Sequence, residues 1–293
     1  DTRRPMYYLL FAGLINVILN IIFVVSFNMD VAGVAAATVI SQAVSAILVI
    51  RCLMKTEGAY RFIPKELSIN KEKLIKMLRI GLPAGLQSSL FSISNVLIQS
   101  SVNSFGSVAM AGNTAASNIE GFVYISMNSL YQTAVSFTGQ NYGAKKMDRV
   151  LKISIICELM VIIVGLVLGN LAYIGGPFLL SIYSSDQNVI SYGLLRLSVI
   201  CTFYCLCGMM DVMVGVLRGM GHSVMPMIVS LTGACLFRVI WIFTIFRSVR
   251  TLFCLYISYP ISWALTFSVH LICFIVIYRN ILTGKKDNYP LPD

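Results

Sequence analysis

The chain has 293 residues, of which 57% are hydrophobic and 12% charged, and its mean hydropathy is +0.82. A soluble domain is nearer half apolar and a quarter charged, so ordinary globular folding in water is excluded. The net charge of +10 does not point to nucleic acid, because no platform of interleaved basic and aromatic residues accompanies it.

The apolar residues fall into blocks of about 20, the length needed to cross the hydrocarbon core of a bilayer. In chain order they predict eight spans: Met6–Phe27, Ala32–Leu53, Ile80–Phe105, Val108–Gly139, Val150–Ile174, Ile190–Met220, Met225–Phe246 and Leu252–Tyr278. A polar stretch, Met54–Met77, separates the second from the third. It contains Lys71-Glu-Lys-Leu-Ile-Lys-Met-Leu-Arg79, which reads as a basic amphipathic helix on an anionic leaflet or as a solvated linker. The expected organisation is therefore 1–54, a basic linker 55–79, a helical lobe 80–279 and a tail 280–293.

The loops orient the chain. With the N-terminus inside, eighteen of the 22 Lys and Arg fall in inside segments, among them Arg3, Arg4, Arg51 to Arg79, Lys145, Lys146, Arg149, Lys152, Arg218, Arg279, Lys285 and Lys286. Outside loops hold only Arg247 and Arg250, while Arg196 and Arg238 lie within spans. Positive charge concentrates in cytoplasmic loops, so both ends of this chain are expected to be cytoplasmic, in the plasma membrane.

A weak internal repeat is visible. Shifting the first 52 residues by 221 places Pro5-Met6 on Pro226-Met227, Ile40-Ser41 on Ile261-Ser262 and Ala43 on Ala264, with two spans in register. Repeats of this kind build secondary transporters. If this one is real, four further spans are expected upstream of Asp1. The eight cysteines all lie in or beside apolar blocks, and Cys205-Leu206-Cys207 is too closely spaced for a zinc knuckle. They are read as small packing residues.

Several motifs resemble the multidrug and toxic compound extrusion (MATE) family. They are Gly81-Leu-Pro-Ala-Gly85, Gly139-Gln-Asn-Tyr-Gly-Ala-Lys-Lys146 and Leu217-Arg-Gly-Met-Gly221 followed by Pro226. Thr2-Arg-Arg-Pro-Met6 with Asn16 and Asn20, and Gly33-Val-Ala-Ala-Ala-Thr38 with Gln42, are similar to the family's fifth and sixth helices. The resemblance implies an all-α membrane bundle of twelve helices in two six-helix lobes, of which this chain carries the last eight. It implies a secondary antiporter, driven by Na+ or H+, that exports amphipathic organic compounds by rocking of the lobes. A cationic substrate and a monomer are expected, with no cofactor beyond the coupling ion.

Ionisable groups within lipid are costly and so are functional candidates. The set inside the spans is Glu120, Glu158, Arg196, Asp211, Arg238 and His270. Asp211 leads: it shares a helix face with Tyr204, Cys207 and Gly215, and the resemblance places it near an acidic helix-ten residue used for cation coupling. Burial disfavours a carboxylate's charge, so such a group can alternate between a proton and a cation near neutral pH. The alternative is a structural pair with Arg196 or Arg238. Glu120 is the second coupling candidate, within the stripe Asn113, Ser117, Glu120, Tyr124, Asn128 and Tyr131 at 3–4 spacing. Such a stripe faces a partner helix or a wet cavity rather than lipid. Gln87 stands where one branch of the family carries Glu and cannot titrate. Ser88, Ser92, Asn95 and Gln99 make a further polar face, read as helix glue or cavity lining. Arg218 is read as an anchor at the inner interface, and His270 as a packing residue.

A lipid or lipid-linked oligosaccharide flippase is the rival transporter. It calls for a cationic cleft, whereas the spans hold three carboxylates against two arginines. An inactive fragment is the third reading. An enzyme is not expected: no Gly-x-x-x-x-Gly-Lys-Ser/Thr loop is present, and two histidines cannot assemble a metal or nucleophile–base site.

Overall fold

The computed structural model describes residues 3–58 and 61–283, without the Lys76 side chain. Thr2, Lys285 and Lys286 lie outside the described residues, as does most of the expected tail. The chain divides into two compact units, 1–71 and 72–293, with the division inside the expected linker.

The first unit is a helix pair, α1 (Arg3–Ile21) and α2 (Asp30–Lys55). A π-helical turn, Ile22–Ser26, ends α1. On α2 the buried residues are Gly33, Ala37, Ser41 and Ser45, one per turn. Small residues at this spacing let two helices approach closely in lipid, where packing and hydrogen bonds rather than hydrophobicity drive association. Asn16 donates to the Ser41 Oγ at 3.2 Å and ties the pair together. Leu9, Leu10, Leu14, Val17 and Ile18 remain exposed.

The second unit begins with α3 (Lys71–Asn103). The basic segment 71–79 is helical and runs unbroken into the third span, so it is neither a separate surface helix nor a loose linker. α4 (Ser107–Gly143) is the hub, packed against α5 (Met147–Ile174), α7 (Gln187–Ile200) and α8 (Tyr204–Gly219). Between α5 and α7 lies the short α6 (Gly176–Ser181). The seventh span is α9 (Val224–Ser230), a π-helical stretch Leu231–Leu236, and α10 (Phe237–Phe243), followed by the single turn α11 (Ile245–Ser248). α12 (Leu252–Leu282) closes the bundle against α7 and α8. A shift of 221 residues carries Arg3 onto Val224 and Asp30 onto Thr251, one residue before α12 begins. The helix starts of the internal repeat therefore coincide, although the π-turns do not.

Five described helices are long and apolar enough to cross a membrane, or six if the bent pair α7–α8 counts as one span. α3 and α4 miss that threshold because polar stripes lower their hydropathy. The sixth span, expected as one helix, is instead broken at residues 201–203, with a 49° bend. Gly165 and Gly169 of α5 press against the break: a Cβ at Gly165 would stand 2.7 Å from the Cys205 Cα, and one at Gly169 would collide with the Cys201 carbonyl oxygen. The bend thus needs two glycines one turn apart on the neighbouring helix. Gly221, at φ +86°, ends the turn after α8 in a conformation that L side chains rarely adopt.

Candidate functional site

α3 makes no extended close backbone approach to any other described helix. It meets the bundle through side chains such as the buried Ile98 and Val102. The space left beside it is a cavity of about 730 Å³, walled by α3, α4, α7, α8, α10 and α12.

The α4 stripe faces this cavity, one of the two settings its spacing allows. Ser117, Glu120, Tyr124, Asn128 and Tyr131 all line it, together with Gln132. Asn113 belongs to the same stripe but is only 1% exposed, and lies behind the wall beneath Arg196. α3 contributes Gln87, Ser88, Asn95 and Gln99. Ser92 does not join them; its hydroxyl donates to the Ser88 carbonyl at 3.1 Å. From α8 come Tyr204, Cys207, Asp211 and Arg218. Of the residues offered for coupling or lining, Asn113 stands directly behind the cavity and Ser92 outside its lining, and the others line it.

Three arginines organise the wall. Arg196 of α7 forks onto Glu120 of α4, Nε to Oε1 at 2.8 Å and Nη2 to Oε2 at 2.7 Å. Its Nη1 donates to Asn113 Oδ1 at 2.7 Å, which also accepts from the Tyr256 hydroxyl at 3.1 Å. Asn113 Nδ2 in turn donates to Gln99 Oε1 at 2.8 Å. Two parallel charge-assisted hydrogen bonds are the strongest form of this contact, and the chain from Gln99 to Arg196 links α3, α4, α7 and α12. The structure thus gives Arg196 to Glu120, not to Asp211.

Arg218 does not end at the interface as expected. It turns inward, with Nη1 donating to the Tyr131 hydroxyl and Nη2 to Gln87 Oε1, both at 2.6 Å, while Nε has no partner. Gln87, which cannot titrate, therefore serves as an acceptor that holds α3 to α8. Arg238 follows the π-helical stretch, the kind of irregularity that recurs at functional sites. Its guanidinium carbon stands 4.2 Å from the Tyr259 ring centre and 5.6 Å from that of Trp263. Nε donates to Ser262 Oγ at 2.9 Å, and Nη2 has no partner.

Asp211 carries no hydrogen bond or ion pair among the described residues, yet it lines the cavity. It is the one carboxylate there without a cation fixed to it. Glu158 is away from the cavity, and both its oxygens lack partners. His270 is fully buried with Nε2 at 3.1 Å from Ser230 Oγ, a packing position behind the wall.

The charge balance differs from the sequence count. Removing Glu158 and adding Arg218 leaves three arginines against two carboxylates. Sequence reasoning also passed over Tyr259 and Trp263, although Tyr256, Tyr259 and Trp263 recur on one face of α12. Of the methionines among the described residues, Met210 lines the cavity. All eight cysteines are free thiols, and the described residues hold no group of three His, Cys, Asp or Glu placed to bind a metal.

The MatE family model matches residues 83–244, more than half of the chain. The chain belongs to the MatE family. The "Probable multidrug resistance protein YoeA" of Bacillus subtilis is 26% identical over 238 residues, covering 79% of this chain and 51% of that protein. A crystal structure of a MATE in complex with MaL6 superposes with a TM-score of 0.85 at 18% identity, over 93% of this chain and 62% of the other. A MOP superfamily transporter from Pyrococcus furiosus superposes at 0.84 with 18% identity, over 92% and 61%. The MATE fold is thus shared, and this is a multi-pass membrane protein. The chain spans about half the length of the curated relatives it matches.

Proposed function

We propose that this MATE chain belongs to an ion-coupled exporter of amphipathic organic compounds, and that Asp211 is its coupling carboxylate. One observation carries the reading. Asp211 is a carboxylate without a cation partner that faces a polar and aromatic cavity inside a lipid-embedded bundle. A charge in that setting costs several kcal/mol unless it is offset. An incoming Na+ or H+ neutralises it, and a bound ion shifts access only through its different affinity for the inward and outward states. Glu120, the second candidate, is held by Arg196 on both oxygens, which supports a role in positioning the wall. Tyr124, Asn128, Tyr131 and Tyr204 supply the mixed surface that an amphipathic compound needs. The related proteins named for multidrug resistance and export support the same reading.

Efflux of fluorescent amphiphiles by the full-length protein in proteoliposomes tests it, with sodium and proton gradients imposed separately. Asp211→Asn is expected to abolish gradient-driven efflux while binding persists. Unchanged gradient dependence in that variant removes Asp211 from the coupling role. A second reading, translocation of a lipid-borne head group, draws support from the arginine excess of the cavity.

A further inference from the structure

The structure assigns an anionic ligand to this cavity: we infer that it holds an amphiphile bearing one carboxylate, sulfonate or phosphate group, placed against Arg238 beside the Tyr259–Trp263 aromatic wall. The inference deepens the transport reading by naming the sign of the substrate, and it departs from the expectation of a cation.

Counter-ions are the first ground. Of the three arginines on the wall, Arg196 is neutralised by Glu120 on both carboxylate oxygens. Arg218 finds only the neutral acceptors Tyr131 and Gln87. Arg238 finds only Ser262, and only through Nε. Asp211 offsets one of these two cations at most and contacts neither as an ion pair. The lining is therefore left with a net positive charge, in a bundle where a lone cation is expensive.

The second ground is unused donor capacity. A guanidinium carries five N–H groups in a planar fork that matches a carboxylate, sulfonate or phosphate. Arg238 is only 3% exposed, its Nε donates to Ser262, and its buried Nη2 has no protein acceptor among the described residues. Buried polar groups without partners are uncommon and call for an explanation, such as a ligand or an ion. The Tyr259 ring centre lies 4.2 Å from the guanidinium carbon, a cation–π contact. Trp263, Tyr204 and Phe91 line the same cavity and provide apolar and aromatic surface for a ring or chain attached to the acidic group. A cationic ligand would gain from the ring faces, but it would meet Arg238 and Arg218 across the same space.

The test uses a pair matched in shape and opposite in charge, 2-naphthalenesulfonate and 2-naphthylmethylammonium. Each is measured for equilibrium binding to the full-length protein in phosphatidylcholine nanodiscs. The sulfonate is expected to bind more tightly. Arg238→Gln is expected to weaken it on the order of tenfold, the scale of one hydrogen bond to a charged group, and Arg238→Lys by less. Asp211→Asn is expected to tighten sulfonate binding severalfold, and this variant keeps the inference testable if the Arg238 variants do not fold. Tighter binding of the ammonium compound, or weaker sulfonate binding in Asp211→Asn, overturns it. Adding phosphatidylglycerol distinguishes two sources of the same chemistry. Displacement of the sulfonate identifies a lipid head group, and no displacement identifies a soluble amphiphile. Gradient-driven efflux of cations without sulfonate binding overturns this inference and leaves the transport reading standing. Sulfonate binding without gradient-driven flux does the reverse.

Discussion

Replacing Glu120 by Gln leaves Arg196 buried with its charge and without its counter-ion. In the intact protein the pair is bidentate, at 2.8 and 2.7 Å, with both side chains less than a tenth exposed. Gln keeps one acceptor oxygen but no charge. Breaking a buried pair from one side costs roughly 3–5 kcal/mol in soluble proteins, and a lone Arg at mid-membrane costs about 2.5–3.5 kcal/mol on insertion scales. Asn113 and the rings of Tyr256 and Tyr259, at 5.6 and 5.8 Å, already contact Arg196 in the native protein and do not replace the lost charge. The expected loss is therefore about 3 kcal/mol. Reversible SDS unfolding of the full-length protein in mixed micelles measures it. The double variant Glu120→Leu with Arg196→Met is expected to recover most of the loss, because no lone charge remains. A single variant within about 0.5 kcal/mol of the native protein, the range of an ordinary surface change, refutes the argument. So does a double variant no more stable than the single one.

Gly169→Ala is expected to destabilise by roughly 2 kcal/mol or more, since its Cβ meets the Cys201 carbonyl, and Gly121→Ala, with nothing within 4 Å, by no more than about 0.5 kcal/mol. The same unfolding assay ranks them, and equal effects would refute the close contact of α5 with the break between α7 and α8. Gln87→Glu turns the bond to Arg218 into a charge-assisted one and is expected to raise stability by roughly 1 kcal/mol. A lower midpoint in thermal unfolding would contradict that geometry. For orientation, a single cysteine at Lys145 is expected to react with impermeant maleimide only from the cytoplasmic side, and one at Arg250 only from the outside. The opposite pattern would reverse the topology drawn from the loop charges.

The helical membrane bundle and the face of α4 were legible because lipid imposes simple rules. A span must be long and apolar, and its polar residues must turn away from hydrocarbon. The stripe from Asn113 to Tyr131 obeys those rules along a single helix, so spacing alone placed it. The partners of Arg196 and Arg218 were not legible. Arg196 and Glu120 are 76 residues apart, and Arg218 and Gln87 are 131 apart. Nothing local in either stretch declares the pairing.

Composition and periodicity thus determined that this protein is a membrane bundle and which face of α4 stays polar. These properties depend on each helix and its solvent. Which cations are neutralised, and hence the sign of the cavity, was decided only when the helices came together. The α7–α8 bend of 49° brings Arg196 and Asp211 to one space, and the turn of Arg218 away from the interface adds a third guanidinium to it. An electrostatic balance is a sum over neighbours, and those neighbours come from six different helices.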